Sequence, residues 1–91
     1  MLTVTEDAKE LLGMVLYSCN VSDPEVALRL LPGTSEELDL MLDKENEDDE
    51  VVMHSGRKVL LVGQEVLSPY AAMTIARGTE EEGGGLVALV E

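Results

Sequence analysis

The 91-residue chain contains no Phe and no Trp, and only two Tyr. A core without large aromatic rings must be built from Leu, Val, Ala and Met, each of which buries less area per side chain. Basic residues are scarce, six against 19 acidic ones, for a formal net charge of −13. That balance excludes a nucleic-acid binder, which needs Lys and Arg to displace counterions from phosphates. It equally disfavours an anionic membrane surface, and it makes a basic protein or a cation the natural counterpart. Cysteine occurs once, as Cys19, so no intramolecular disulfide forms. No apolar run approaches the roughly 20 residues that span a bilayer. The opening "MLTVTEDAKE" carries acid where a secretory leader carries base and then an apolar stretch, and the expected location is cytoplasmic.

The hydrophobic fraction of 45% is ordinary, so the chain is expected to fold, as one domain over residues 1–91. A domain this small buries only about 60–65% of its unfolded surface and commonly leans on a partner or a second copy. "TVTEDAKELLGMVLYSCN" predicts a helix over about Glu6 to Tyr17. Thr5 is the N-cap, Glu6 and Asp7 sit at the positive end of the helix dipole, and Ala8, Leu11, Leu12, Val15 and Leu16 form one buried face. "EVALRLLP" and "EELDLMLDK" alternate with period two. Val26, Leu28 and Leu30, then Leu38, Leu40 and Leu42, are expected to point inward, in an antiparallel pair turning at Pro32–Ser35.

"ENEDDE", residues Glu45 to Glu50, is expected to be a solvated connector. "VVMHS" and "KVLLV" predict a hairpin near Ser55–Gly56. In "GQEVLSPYAAM", either Gln64 to Leu67 form a short helix ended by Pro69, or Ser68–Pro69 start a helical turn. "TIARG" and "LVALVE" read as strands around the loop "TEEEGGG". Strands and helices do not alternate regularly, so the order predicts an α+β domain of antiparallel or mixed strands.

The candidate chemistry is thin. Asp43, Glu45, Glu47 and Asp49 recur at every second position, which invites a hard-cation loop. An EF-hand loop counted from Asp43 would place Gly at Asp48 and a bidentate Glu at His54, so that motif is excluded. His54, the lone histidine, has no companion ligand or nucleophile near it in sequence. Cys19 follows a helix rather than opening one, and so lacks the dipole activation of a reactive thiol. Only two chains together could pair its thiolates on a metal. The glycines at 83–85 lack the strand-before, helix-after setting of a phosphate loop. Lys9, Arg29, Arg57, Lys58 and Arg77 are dispersed, and no acid–base or nucleophilic constellation supports an enzyme.

Taken together, the words of the chain resemble the HesB-like family of A-type (IscA-like) iron–sulfur cluster carriers. "LTVTEDAKELL" is similar to that family's opening short strand, acids and amphipathic helix; "ALRLLPGTSEELDLMLDK" resembles its first hairpin. "EDDEVVMHSGRKVLLVGQEVLSPYAAMTIAR" resembles the strand, short helix and strand that follow, and "GGGLVALVE" its last core strand. The resemblance implies a small HesB-like α+β domain of mixed strands, with an N-terminal helix and a second short helix. In the carriers, a ligand cysteine lies in the loop of the first hairpin and two more in a Cys-x-Cys tail. Here the hairpin stretch is Pro32-Gly33-Thr34-Ser35-Glu36, without a thiol, and the 91 residues end at Glu91 before such a tail. Cys19 matches none of the three positions. The resemblance therefore implies a degenerate relative: a non-catalytic binding or adaptor module with no cofactor, docking to iron–sulfur assembly or recipient proteins and prone to form homo-oligomers. The alternative is a weak divalent-cation binder using the carboxylates of residues 43–50.

Overall fold

A computed structural model describes residues 1–31, 39–79 and 85–91. The elements run β1 (Leu2–Val4), α1 (Glu6–Ser18), β2 (Val26–Leu31), β3 (Asp39–Lys44), β4 (Glu50–His54), β5 (Arg57–Val62), α2 (Gln64–Leu67), β6 (Met73–Arg77) and β7 (Leu86–Val90). The predicted Pro32–Ser35 turn, Leu38 and most of the "TEEEGGG" loop lie outside the described residues.

α1 starts as the sequence dictates. The Thr5 hydroxyl accepts from the Ala8 N–H at 3.3 Å, satisfying one of the orphan donors of the first turn. Ala8, Leu12 and Leu16 are buried, with Leu11 and Val15 half-buried on the flanks of the stripe. The helix ends through Cys19, and Asn20 follows in the left-handed region at φ 55°, a conformation that asparagine tolerates better than most residues.

The strands form two mixed sheets. In the smaller, ordered β1-β6-β7, β1 runs parallel to β6 and β7 antiparallel to it. In the larger, ordered β3-β2-β5-β4, the central pair β2 and β5 is parallel and each carries an antiparallel neighbour at its outer side. The β4–β5 hairpin turns at Ser55 (φ 51°) and Gly56 (φ 77°), the two consecutive left-handed residues of a primed two-residue turn. α2 takes the first of the two forms the sequence allows, Gln64 to Leu67, and stops before Pro69.

One buried cluster draws on α1 (Leu12, Leu16), β2 (Leu28, Leu30), β5 (Leu60, Val62), α2 (Val66) and β6 (Met73, Ile75). At about 1.5–3 kcal/mol for each fully buried large aliphatic side chain, this cluster is the main stabilising term of an aromatic-free core. Leu42 departs from its expected inward placement and is 42% exposed. It pairs with Leu28, but β3 is an edge strand, and its side chain has a neighbour on one side only. Among the described residues, no helix is long and apolar enough to cross a membrane.

Candidate functional site

β2 alternates: Leu28 and Leu30 enter the core, which turns Arg29 onto the opposite face of a central strand. That face is covered too, and Arg29 is buried. A buried guanidinium must find acceptors for its five N–H donors or lose its hydration without return. It finds them in the acidic run. Arg29 Nε donates to Asp43 Oδ2 at 2.6 Å; Nη1 and Nη2 donate to the two oxygens of Asp49 at 2.8 and 2.6 Å; Nη2 also donates to the Lys44 carbonyl at 3.1 Å. Asp43 lies opposite Ala27 in the β2–β3 register, diagonal to Arg29 and within reach of a long side chain.

Asp49 is thus no part of a solvated connector. Its side chain is 1% exposed, and the Asn46 N–H donates to its Oδ2 at 2.7 Å. The topology gives the reason. β3 and β4 occupy opposite edges of the four-stranded sheet, so residues 45–49 must cross from one edge to the other. Three inter-strand gaps amount to about 14 Å. The six peptide steps from Lys44 to Glu50 reach about 20 Å when extended, so little slack remains. The crossing runs close to β2, and Arg29 fastens it there. "ALRLL" held the signal: a lone Arg between leucines in a central strand has to meet buried acids.

The electrostatics follow from this geometry. The Arg29 guanidinium holds the Asp49 carboxyl below its ordinary value, aided by the Asn46 N–H and opposed by burial. Asp43 is held low first by the Lys44 N–H on its Oδ1, then by Arg29. Arg29 is pushed up, chiefly by its hydrogen bonds to Asp49. Glu45 is also engaged: Lys58 Nζ lies 3.0 Å from it and 2.8 Å from Glu25, and both carboxylates raise the lysine. Of the four alternating carboxylates, Asp43, Glu45 and Asp49 already hold cationic partners, while Glu47 is exposed. Among the described residues, no group of three or more His, Cys, Asp or Glu is arranged to hold a metal ion.

Cys19 is free and exposed at the C-cap of α1. His54 is half-buried at the end of β4, opposite Arg57 in the hairpin. α1 passes close by: a Cβ added at Gly13 would lie 3.9 Å from His54 Cδ2. An open groove lies between the helix and His54, flanked by Met14 and Tyr17, which are 61% and 87% exposed.

This arrangement of two mixed sheets and one main helix recurs in solved structures. The crystal structure of Escherichia coli SufA, a protein involved in biosynthesis of iron–sulfur clusters, matches with a TM-score of 0.54 over 99% of this chain and 78% of that one, at 20% identity. The fold is HesB-like. A solution NMR structure of a protein from Aquifex aeolicus matches likewise, with a TM-score of 0.56 over 97% of this chain and 89% of that one, also at 20% identity. No family model and no curated protein matches the chain. Within the HesB-like frame, the stretch expected to correspond to the carriers' ligand loop lies among residues 32–38, outside the described residues, with β2 and β3 leading to either side of it. An iron–sulfur cluster requires several thiolates. These 91 residues offer the single thiol of Cys19, so the residues present do not by themselves fit a cluster.

Proposed function

We propose that this chain is a single-domain, non-catalytic binding module, a HesB-like scaffold without cluster ligands, which docks in the cytoplasm onto proteins that build or receive iron–sulfur clusters. The observation that carries this reading is the likeness to SufA in a sequence whose first-hairpin stretch, Pro32 to Glu36, has no thiol and whose only cysteine lies at the far end of α1. The fate of the acidic run supports it as well. Asp43 and Asp49 are committed to Arg29 and Glu45 to Lys58, a structural use rather than a catalytic one. The reading extends to self-association, as expected of a small domain with a modest core.

Anaerobic reconstitution with iron and sulfide tests it. The expected visible spectrum is flat, and the immobilised protein retains iron–sulfur assembly or recipient proteins from an extract. Visible absorption that disappears in Cys19→Ser would instead mean a cluster bridged between two chains, and the adaptor reading would fall.

A further inference from the structure

The two sheets end in β1 and β7, and in β3 and β4. A sheet edge offers unpaired N–H and C=O groups to any passing strand, and folded proteins guard it with charge, a bulge or brevity. β1, β3 and β4 are guarded so. β1 is three residues long, β3 carries Asp39, Asp43 and Lys44, and β4 carries Glu50 and a register shift at Val52/Met53. β7 is "LVALV", with no charge, proline or register shift, and none of its five residues is buried. Leu89 and Val90 are 61% and 46% exposed. Among the described residues, no strand pairs with the outer side of β7.

The bonds to β6 fix which backbone groups are free. Glu91 and Ala72 exchange N–H···O bonds at 2.9 and 3.4 Å, and the Gly78 N–H donates to the Gly85 carbonyl at 2.6 Å. Bonded residues alternate along an antiparallel ladder, so Gly85, Val87, Leu89 and Glu91 face β6. Leu86, Ala88 and Val90 therefore turn their N–H and C=O groups outward.

We propose that β7 pairs antiparallel with β7 of a second copy, across a two-fold axis at Ala88, so that the two small sheets become one. In that register Ala88 meets Ala88 and Leu86 meets Val90, and every outward group within β7 gains a partner. Charge allows the contact, because Glu91 falls opposite Gly85 and no two carboxylates of residues 85–91 oppose each other. The side chains match as well. Leu86 and Ala88 pack against the core, which leaves Val87 and Leu89 on the other face. The pairing sets the exposed Leu89 against Val87 of the second copy, as a non-bonded pair with its Cα atoms about 4.5 Å apart. Such a contact is complementary to itself and closes at the dimer. It is small, so the dimer is reversible, with a dissociation constant on the order of 100 μM. Net −13 on each copy opposes association, so salt tightens the dimer by screening. The proposal rests on the self-association put forward above and locates it; it needs no link to iron–sulfur proteins.

The test is sedimentation velocity and amide hydrogen exchange on the full 91-residue chain, from about 20 μM to about 1 mM in about 0.5 M NaCl. A monomer–dimer equilibrium is expected, weakening when NaCl is lowered to about 20 mM. Across that concentration range the Leu86, Ala88 and Val90 amides should slow at least about threefold, while Val87 and Leu89, already bonded to β6, change less. Ala88→Pro removes an outward N–H and no bond to β6, and should weaken the dimer at least about tenfold. Met53→Ser on the guarded β4 edge should leave it unchanged. A chain that stays monomeric throughout overturns the self-association and the interface together. A dimer that survives Ala88→Pro, or that leaves the alternate amides unslowed, overturns the interface alone. So does protection already complete in dilute solution, which would mean an edge covered from within the chain, and so does assembly that runs past the dimer. Should Ala88→Pro not fold, the alternating exchange pattern of the native chain decides alone.

Discussion

Arg29 on β2 and Arg57 at the start of β5 occupy adjacent, parallel strands of one sheet; Arg29 is buried, whereas Arg57 is half-buried with its Nε sealed from water. Arg29 meets two carboxylates and a carbonyl, so that each of its nitrogens has a partner. Arg57 meets one distant carbonyl and keeps an Nε with no acceptor. The same side chain is a fully paired fastener in the first setting and an underpaired one in the second. The two differ in burial and, more tellingly, in the count of satisfied donors.

The contrast breaks most sharply by substitution. Removing the carboxylate in Asp49→Ala leaves a buried guanidinium half-paired, a change expected to cost about 3–5 kcal/mol in urea unfolding. That is a large share of the total for a domain of this size. Arg57→Gln removes a donor that has no acceptor, and its stability should stay within about 1 kcal/mol of the parent. If the two variants lost equal stability, satisfaction of donors would not be what separates the sites.

Acid sharpens the same comparison. Asp43 and Asp49 titrate below their ordinary value of 3.8 in the fold. A depressed carboxyl stabilises the folded state above its unfolded value, and that contribution is lost as pH falls through the lower folded value. The stability gap between the parent and Asp49→Ala should therefore be wide and level from neutral pH to about 5, then close below about 4. Measuring the gap, rather than either protein alone, cancels the relief of general acidic repulsion. The smallest effect concerns α1 where it passes His54. Gly13 has ordinary helical geometry with room for a methyl group, so Gly13→Ala should raise the unfolding midpoint by the equivalent of about 0.5–1 kcal/mol. A loss there would mean that the helix needs its close approach to His54.

The helix, the two hairpins and the short second helix were legible because each is written locally: a cap and a 3.6-residue stripe, period-two runs, Ser55–Gly56, and a proline after Leu67. The HesB-like resemblance supplied the short opening strand, Leu2–Val4, which period alone leaves unread. Strand order was not legible. Nothing in "ENEDDE" tells a reader that β3 and β4 lie at opposite edges, and without that fact Asp49 reads as one acid among five. Leu42 failed for the same reason, since a period-two pattern gives a face but not whether the strand stands at an edge. The unmet Nε of Arg57 escaped notice because an unsatisfied hydrogen-bond donor leaves no mark in sequence.

The smaller sheet carries a consequence for the order of assembly. β1 and β7, from the two ends of these 91 residues, both pair with β6, and the Met1 ammonium donates to the Ala71 carbonyl across 70 residues. The larger sheet needs only residues 26–62 and can nucleate from neighbouring hairpins. The smaller one must close a long loop whose entropy is lost before any contact compensates for it. During synthesis, β1 therefore waits until nearly the whole segment has emerged, exposing an unpaired strand edge in the interval. The three-stranded sheet is the late clasp of the molecule, and a slow folding phase should be sought there first.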